Sequence, residues 1–279
     1  MGMEFGVLGP LILGTEGQSF LPSAPKPKQL LALLVLNANR VMSAASCIEE
    51  LWSSDPPASA MSTLQTYVLH IRKALARVPG VDSLAAARSV LTTHDYGYAL
   101  QVGPEDVDAF RFGMLVREGQ RAQESAQHQR AAELLAQALA VWRGDVLVDV
   151  QLGPMLQMHA RALEEARLGA WERRVESDLR LGRHHLLLGE LVGRAAAHPV
   201  NENIHAQLMV ALYRSGRPAD ALGVYLRLRT MLRRELGLDP SMRLQQLYHA
   251  VLRADPVLDS HEVGEHGLSL DLAMQRTGT

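Results

Sequence analysis

Two patterns of apolar and polar positions divide the chain. In the first hundred residues short apolar runs alternate with Gly and Pro. Residues 4–8 and 11–13 are split by Gly9-Pro10, and 18–21 follows Gly14 and Gly17. These read as short strands joined by turns. Pro25 and Pro27 open a helix over 28–37, since a proline in the first turn lacks only an N–H that has no partner there anyway. Ser43 caps a second helix over 44–52, and Pro56-Pro57 ends the helical pattern. Ser59 caps a third helix, which runs to about Arg77 and is stopped by Pro79-Gly80. Inside it, TLQTYVLHIRKAL spaces Leu64, Val68, Ile71 and Leu75 as one apolar stripe of an amphipathic helix. After a loop, SVLTTHDYGYALQV places strand-forming residues on both sides of His94-Asp95-Tyr96-Gly97, a hairpin signal. Strands, three helices and a hairpin in that order make the layout of a winged helix-turn-helix.

From Pro104 onward the pattern is helical. Helices are expected over 107–125, 129–142, 155–181, 183–197, 201–214, 218–235 and 243–252, with Gly or Pro in the breaks. AAELLAQALAVW and PADALGVYLRLRTML share small residues at close-packing spots and suggest tetratricopeptide-like helix pairs. The expected fold is mainly α: an α+β winged helix-turn-helix over 1–103, an all-helical tetratricopeptide-like domain over 104–255, and a flexible, polar, partly acidic tail over 256–279.

Composition narrows the function. With 279 residues, 47 % of them hydrophobic, the chain can bury two ordinary cores. No apolar run reaches the roughly 18 residues of a membrane span. The start MGMEFGVLGPLILG lacks the basic opening and cleavage site of a signal peptide. Cys47 is the only cysteine, which excludes an internal disulfide and a cysteine-based zinc site. It reads as a small buried filler in a cytoplasmic protein. A chain without G-x-x-x-x-G-K-[ST] gives no sign of nucleotide dependence.

Other conspicuous residues have ordinary readings. The adjacent His184-His185 point in different directions from a helix. HEVGEH, 261–266, spaces its histidines five apart, off one helical face. Glu49-Glu50 and Glu164-Glu165 read as solvated faces, Trp52 as core packing and Trp142 as a helix end stopped by Gly144. Neither a nucleophile nor a metal or cofactor site emerges, so no enzyme is expected.

The third helix carries the candidate chemistry. Thr63, Thr66, His70 and Lys73 share the side opposite the apolar stripe, at spacings of three, four and three. A major groove admits one such helix. Thr66 can meet a thymine methyl or make a hydrogen bond, His70 can donate to guanine N7 or O6, and Gln65, near the edge of the face, can read adenine. Arg72, Lys73 and Arg77 are candidates for phosphates. Thr92, Thr93, His94 and Tyr96 are candidates for backbone contacts from the wing, while Tyr98 reads as core. Lys26 and Lys28 stand at the start of the first helix, where phosphate is attracted.

Charge argues against one copy acting alone. The chain has a formal net charge of -2. Over 1–103, Lys26, Lys28, Arg40, Arg72, Lys73, Arg77 and Arg88 are balanced by Glu4, Glu16, Glu49, Glu50, Asp55, Asp82 and Asp95. DNA affinity is largely electrostatic, so a neutral domain binds weakly. Residues 63–78, however, hold three bases and no acid. Two protomers bound side by side on DNA would compensate. The other reading of these residues is an ordinary amphipathic helix in a helical-repeat protein-interaction module whose winged helix reads nothing.

Ordered blocks carry a resemblance over roughly 3–255. They are VLGPL, LLALLVLNANRVMS, ELWSSDPPASAMSTLQTYVLHIRKAL and YGYAL, then DVDAFRF, ALAVWRGDVL, LGRHHLLLGEL, HPVNENIHAQLMVALYRSGRPADALGVY and ELGLDPSMRLQQLYHAVL. Together they resemble the Streptomyces antibiotic regulatory protein family, the AfsR-related pathway-specific activators. The resemblance implies an OmpR-like winged-helix DNA-binding domain followed by a bacterial transcriptional activation domain. It also implies binding as tandem protomers or a homodimer to double-stranded DNA with direct repeats upstream of biosynthetic promoters. Recruitment of RNA polymerase holoenzyme, through the sigma factor and other subunits, would switch on secondary-metabolite genes. Many relatives carry Arg where this chain has His70, which puts a bidentate guanine contact at that position in doubt.

Overall fold

The structure is a computed structural model that describes residues 3–15 and 17–258. It contains two compact units. One consists of Met1–Val116 and Gln137–Leu168, the other of Arg117–Ala136 and Gly169–Thr279.

The first unit opens with an antiparallel sheet of β1 (Glu4–Gly6), β2 (Ile12–Thr15) and β3 (Gln18–Ser19), in register at Phe5↔Leu13 and Gly14↔Ser19. The first strand is shorter than its apolar run because Val7 and Leu8 donate their N–H groups to the Asp108 carboxylate, at 2.9–3.0 Å, instead of continuing a ladder. Helix α1 (Pro25–Leu36) starts on its two prolines as expected. Past its first turn it is buried on every side from Leu30 to Val35, with Leu30, Leu31 and Leu33 fully buried. Helix α2 (Ala44–Trp52) is capped by Ser43, whose hydroxyl accepts from Ser46 N at 3.0 Å. Cys47 is fully buried, and Tyr98 is buried in the core. Trp52 is half-buried and stacks on Tyr67 at 6.0 Å.

Helix α3 (Ala60–Leu75) ends before Arg77, and Ser59 does not cap it. The hydroxyl of Ser59 lies 3.4 Å from that of Thr63, away from any helical N–H. The stretch after Pro79-Gly80, read from sequence as loop, contains α4 (Leu84–Val90), whose first turn Ser83 caps through Ala86 N. Seven residues are too few to show a helical period. The hairpin forms as β5 (Leu91–His94) and β6 (Gly97–Leu100), with His94 opposite Gly97. A two-residue strand missed in the sequence, β4 (Met42–Ser43), pairs with β6, giving the order β4-β6-β5. Any Cβ at Gly97 would collide with the Met42 carbonyl, which is why YGYAL needs glycine there.

The first unit runs past residue 103, the expected domain boundary. Phe5 N donates to Asp106 O at 2.7 Å, and Asp108, at the start of α5 (Asp108–Glu124), takes Val7, Leu8 and Arg143. The loop after α6 (His128–Ala140) closes on the Gly9-Pro10 turn. Arg143 N donates to Leu8 O, Arg143 Nη1 to Pro10 O, and Leu147 N to Gly9 O, at 2.8–3.0 Å. Trp142 is a buried part of this knot rather than a bare helix end. Its ring meets Phe112 edge-on at 5.4 Å, and the Arg167 guanidinium lies 4.5 Å over it.

Glu50 corrects another sequence reading. It is not on a solvated face: its side chain is buried, and its carboxylate accepts from Gly153 N at 2.7 Å and Met155 N at 2.8 Å. Those N–H groups open α7 (Pro154–Arg180) and have no partner within the helix.

In the second unit α8 (His184–Ala197), α9 (Glu202–Arg214), α10 (Pro218–Leu236) and α11 (Met242–Leu252) follow one another with short turns. Helix α9 is central: Ile204, Ala206, Met209 and Val210 are fully buried between α8 and α10. Asn201 caps α9 through Ile204 N at 3.1 Å, and Gly237 ends α10 in the left-handed region, at φ 68°. Of the expected tail, Pro256–Leu258 is a 3₁₀ turn with Leu258 buried and its carbonyl accepting from Arg214 Nε at 2.7 Å. HEVGEH and the rest of the tail lie outside the described residues. Among the described residues no helix is long and apolar enough to cross a membrane, and no group of three or more His, Cys, Asp or Glu is arranged to hold a metal ion.

Candidate nucleic-acid interface

Helix α3 separates its two sides as its sequence spacing requires. Leu64, Val68, Ile71 and Leu75 are buried against the unit. Gln65, Thr66, His70 and Lys73 are exposed, and Thr63 is half-buried at the margin. Thr66 Oγ1 donates to Ser62 O at 3.0 Å, which holds its methyl in a defined orientation on the exposed face. Two residues on this face were missed in the sequence. Ser62 and Leu69 are exposed, and helical steps of about 100° put both beside Thr66 and Lys73. Leu69 escaped notice because an apolar residue is naturally assigned to the buried stripe, although it is out of phase with Leu64 and Val68.

Three expected phosphate ligands are committed within the chain. Arg72 donates to Leu91 O from Nε and Nη2 at 3.0 and 2.7 Å, and to Thr93 Oγ1 at 2.7 Å. It therefore ties α3 to β5, the first strand of the hairpin. Burial first, then the neighbouring Arg88 charge, lowers its pKa from the usual arginine value. Arg77 Nη2 donates to Phe20 O at 2.9 Å, and Lys26 Nζ to Gln29 Oε1 at 3.2 Å and to Leu51 O. Each is a positioning contact in this structure. Lys28 is half-buried on the first turn of α1.

At the wing, Thr92 Oγ1 donates to Ala99 O at 3.1 Å and lies 3.0 Å from His94 Nε2. Thr93, His94 and Asp95 are exposed, and Tyr96 stands at the tip with 65 % of its surface free. The Tyr96 carbonyl accepts from Ala44 N at 2.9 Å, which fixes the tip to the start of α2. On the other flank of α3, His70, Lys73 and Arg77 face Leu21, Pro22, Ser23 and Ala24 across a cleft of about 310 Å³. Ala24 precedes α1 without a side-chain cap, so the cleft joins basic side chains to a helix N-terminus, the two ingredients of a phosphate seat.

Comparison with known proteins matches residues 17–100 to the family described as "Transcriptional regulatory protein, C terminal" and residues 107–252 to "Bacterial transcriptional activator domain". The chain is 47 % identical to the regulatory protein DnrI of Streptomyces peucetius over 257 residues, covering 92 % of this chain and 94 % of that one. It is 38 % identical to the regulatory protein AfsR of Streptomyces coelicolor over 92 % of its length, but spans only 25 % of that larger protein. Among solved structures, Mycobacterium tuberculosis EmbR in complex with a low-affinity phosphopeptide superposes with a TM-score of 0.86 at 33 % identity, over 91 % of this chain and 66 % of EmbR.

Proposed function

The chain belongs to the Streptomyces antibiotic regulatory protein family of transcriptional regulators, and from that premise we propose that it is a sequence-specific DNA-binding activator of a secondary-metabolite gene cluster. The observation that carries the proposal is α3: a buried apolar side, and an opposite side on which Gln65, Thr66, Leu69, His70 and Lys73 are exposed.

In this reading α3 lies in the major groove. His70 and Thr66 read bases, Leu69 meets thymine methyls, and Lys73 holds a phosphate. The cleft beside Ala24 seats a second phosphate, with Lys28 nearby, and Tyr96, Thr92 and Thr93 bring the wing to the backbone. Arg72 aligns wing and helix so that both reach the DNA together. Residues 1–103 supply DNA binding and 104–255 activation. Two protomers occupy tandem direct repeats and recruit RNA polymerase holoenzyme in the cytoplasm.

A second reading, a helical protein-interaction module with a non-reading winged helix, draws on one observation. Arg72, Arg77 and Lys26 are all engaged within the chain, which leaves the domain fewer cations for phosphates. Gel shifts on a promoter with direct repeats, run at several salt concentrations, separate the two. Specific binding that weakens with salt supports the activator. Binding indifferent to the repeat sequence returns the second reading.

A further inference from the structure

In the second unit α8 and α10 both pack on α9 and leave an open cleft of about 430 Å³ between them. That volume falls within the roughly 300–1,000 Å³ of small-molecule sites. Leu208 and Leu212 of α9 and Val224 and Leu228 of α10 form an apolar floor, each with under a tenth of its surface exposed. The opposite wall carries Ala195 and Ala196, whose single methyl groups leave the space unfilled.

Four polar side chains stand around this floor: His205, Arg217, Asp220 and Arg227. Asp220 is already matched, since Arg217 Nε lies 2.7 Å from its Oδ2. His205 Nδ1 lies 2.8 Å from Asn201 O, a contact the ring can make only as donor, which leaves Nε2 as an acceptor in the neutral ring. Arg227 is exposed and takes part in none of the ion pairs found among the described residues. The rim is thus one cation in excess over an apolar floor, a combination suited to an anion with a greasy body.

We propose that the cleft between α8 and α10 binds a small amphipathic carboxylic acid, with its apolar body on Leu208, Leu212, Val224 and Leu228 and its carboxylate at Arg227. This goes beyond the DNA-binding reading and does not depend on it. The small volume favours such a ligand over a peptide segment, which would need a longer groove.

The test uses the full chain and two probes. Anilinonaphthalene sulfonate, an aromatic anion, reports occupancy by fluorescence, and decanoate competes with it. One saturable site is expected, cleared by decanoate. Ala196→Trp fills the wall and Arg227→Glu reverses the charge, and each should weaken decanoate by about tenfold or more. Both positions are exposed, and unchanged melting curves would show that the fold is intact. Arg234→Glu, at an exposed arginine paired with Glu235, should leave affinity unchanged. Non-saturating fluorescence overturns the proposal, as does decylamine competing as well as decanoate. Wild-type affinity in both cleft variants, or an equal loss in Arg234→Glu, also overturns it.

Discussion

The Glu50 carboxylate on α2 accepts a 2.7 Å hydrogen bond from Gly153 N, 103 residues away, and thereby caps α7. Its second oxygen takes Met155 N and Leu156 N at 2.8 and 3.2 Å. A Cβ at Gly153 would collide with the Glu50 carbonyl, so the approach of these two segments depends on glycine. Gln29, itself buried, donates to Glu50 O at 2.8 Å and completes the arrangement. The helix that precedes α3 is therefore held by the opening of a helix from the second half of the sequence.

Glu50→Ala should destabilise the chain by about 2–4 kcal/mol, because it leaves three helix-opening N–H groups inside the fold without an acceptor. Glu50→Gln should recover part of the loss, since an amide still accepts through one oxygen. Denaturant unfolding of the three proteins measures this. Equal midpoints would show that the cap contributes nothing.

Lys73→Ala and Arg72→Ala should fail differently. Lys73 is exposed, so its loss should leave the melting temperature unchanged, weaken DNA uniformly across sequences, and reduce the salt slope by about 1. Arg72 braces Leu91 and Thr93, so its loss should lower the melting temperature as well as the affinity. Melting curves with salt-dependent gel shifts distinguish the two outcomes.

His70→Arg should tighten binding or change the preference at one base pair. Arg offers guanine a two-pronged contact that imidazole cannot, worth about 1–3 kcal/mol of discrimination. Selection of binding sites from random DNA checks this. Identical profiles for the two proteins would remove His70 from the reading face.

Stability should fall as the pH drops below about 6.5, the ordinary histidine value. Burial lowers the pKa of His159 and His205, partly offset by Glu50 for the first and by the bond to Asn201 O for the second. Burial also lowers His128, reinforced by Arg180. With folded values below the unfolded one, the unfolded chain takes up protons first. The stabilising contribution is present above the unfolded pKa and lost as pH falls through the folded values. Melting temperatures between pH 8 and about 5 test this.

Cys47 should resist thiol reagents until the chain unfolds. Burial, with a smaller contribution from the Glu50 charge, pushes its pKa up to about 12, so almost no thiolate exists at neutral pH. Iodoacetamide labelling with and without denaturant measures the contrast.

The sequence alone determined most of the longer elements and the two-sided character of α3, because both rest on local periodicity. Leu64, Val68, Ile71 and Leu75 had to be buried together, and that left His70 and Lys73 outside. Pro25, Ser43 and the turn before Gly97 are likewise local signals that hold in the fold. Only the tertiary structure decided which polar groups are free. Arg72, Arg77 and Lys26 look from the sequence like Lys73, yet their partners are carbonyls of Leu91, Phe20 and Leu51, contributed by distant segments. Glu50 looks like a solvated acid, yet it is a buried acceptor for Gly153, as Asp108 is for Val7 and Leu8. A hydrogen bond to a backbone group 50 or 100 residues away leaves no period in the sequence. Its partner is set by how helices and turns pack, and that arrangement exists only once the chain has folded.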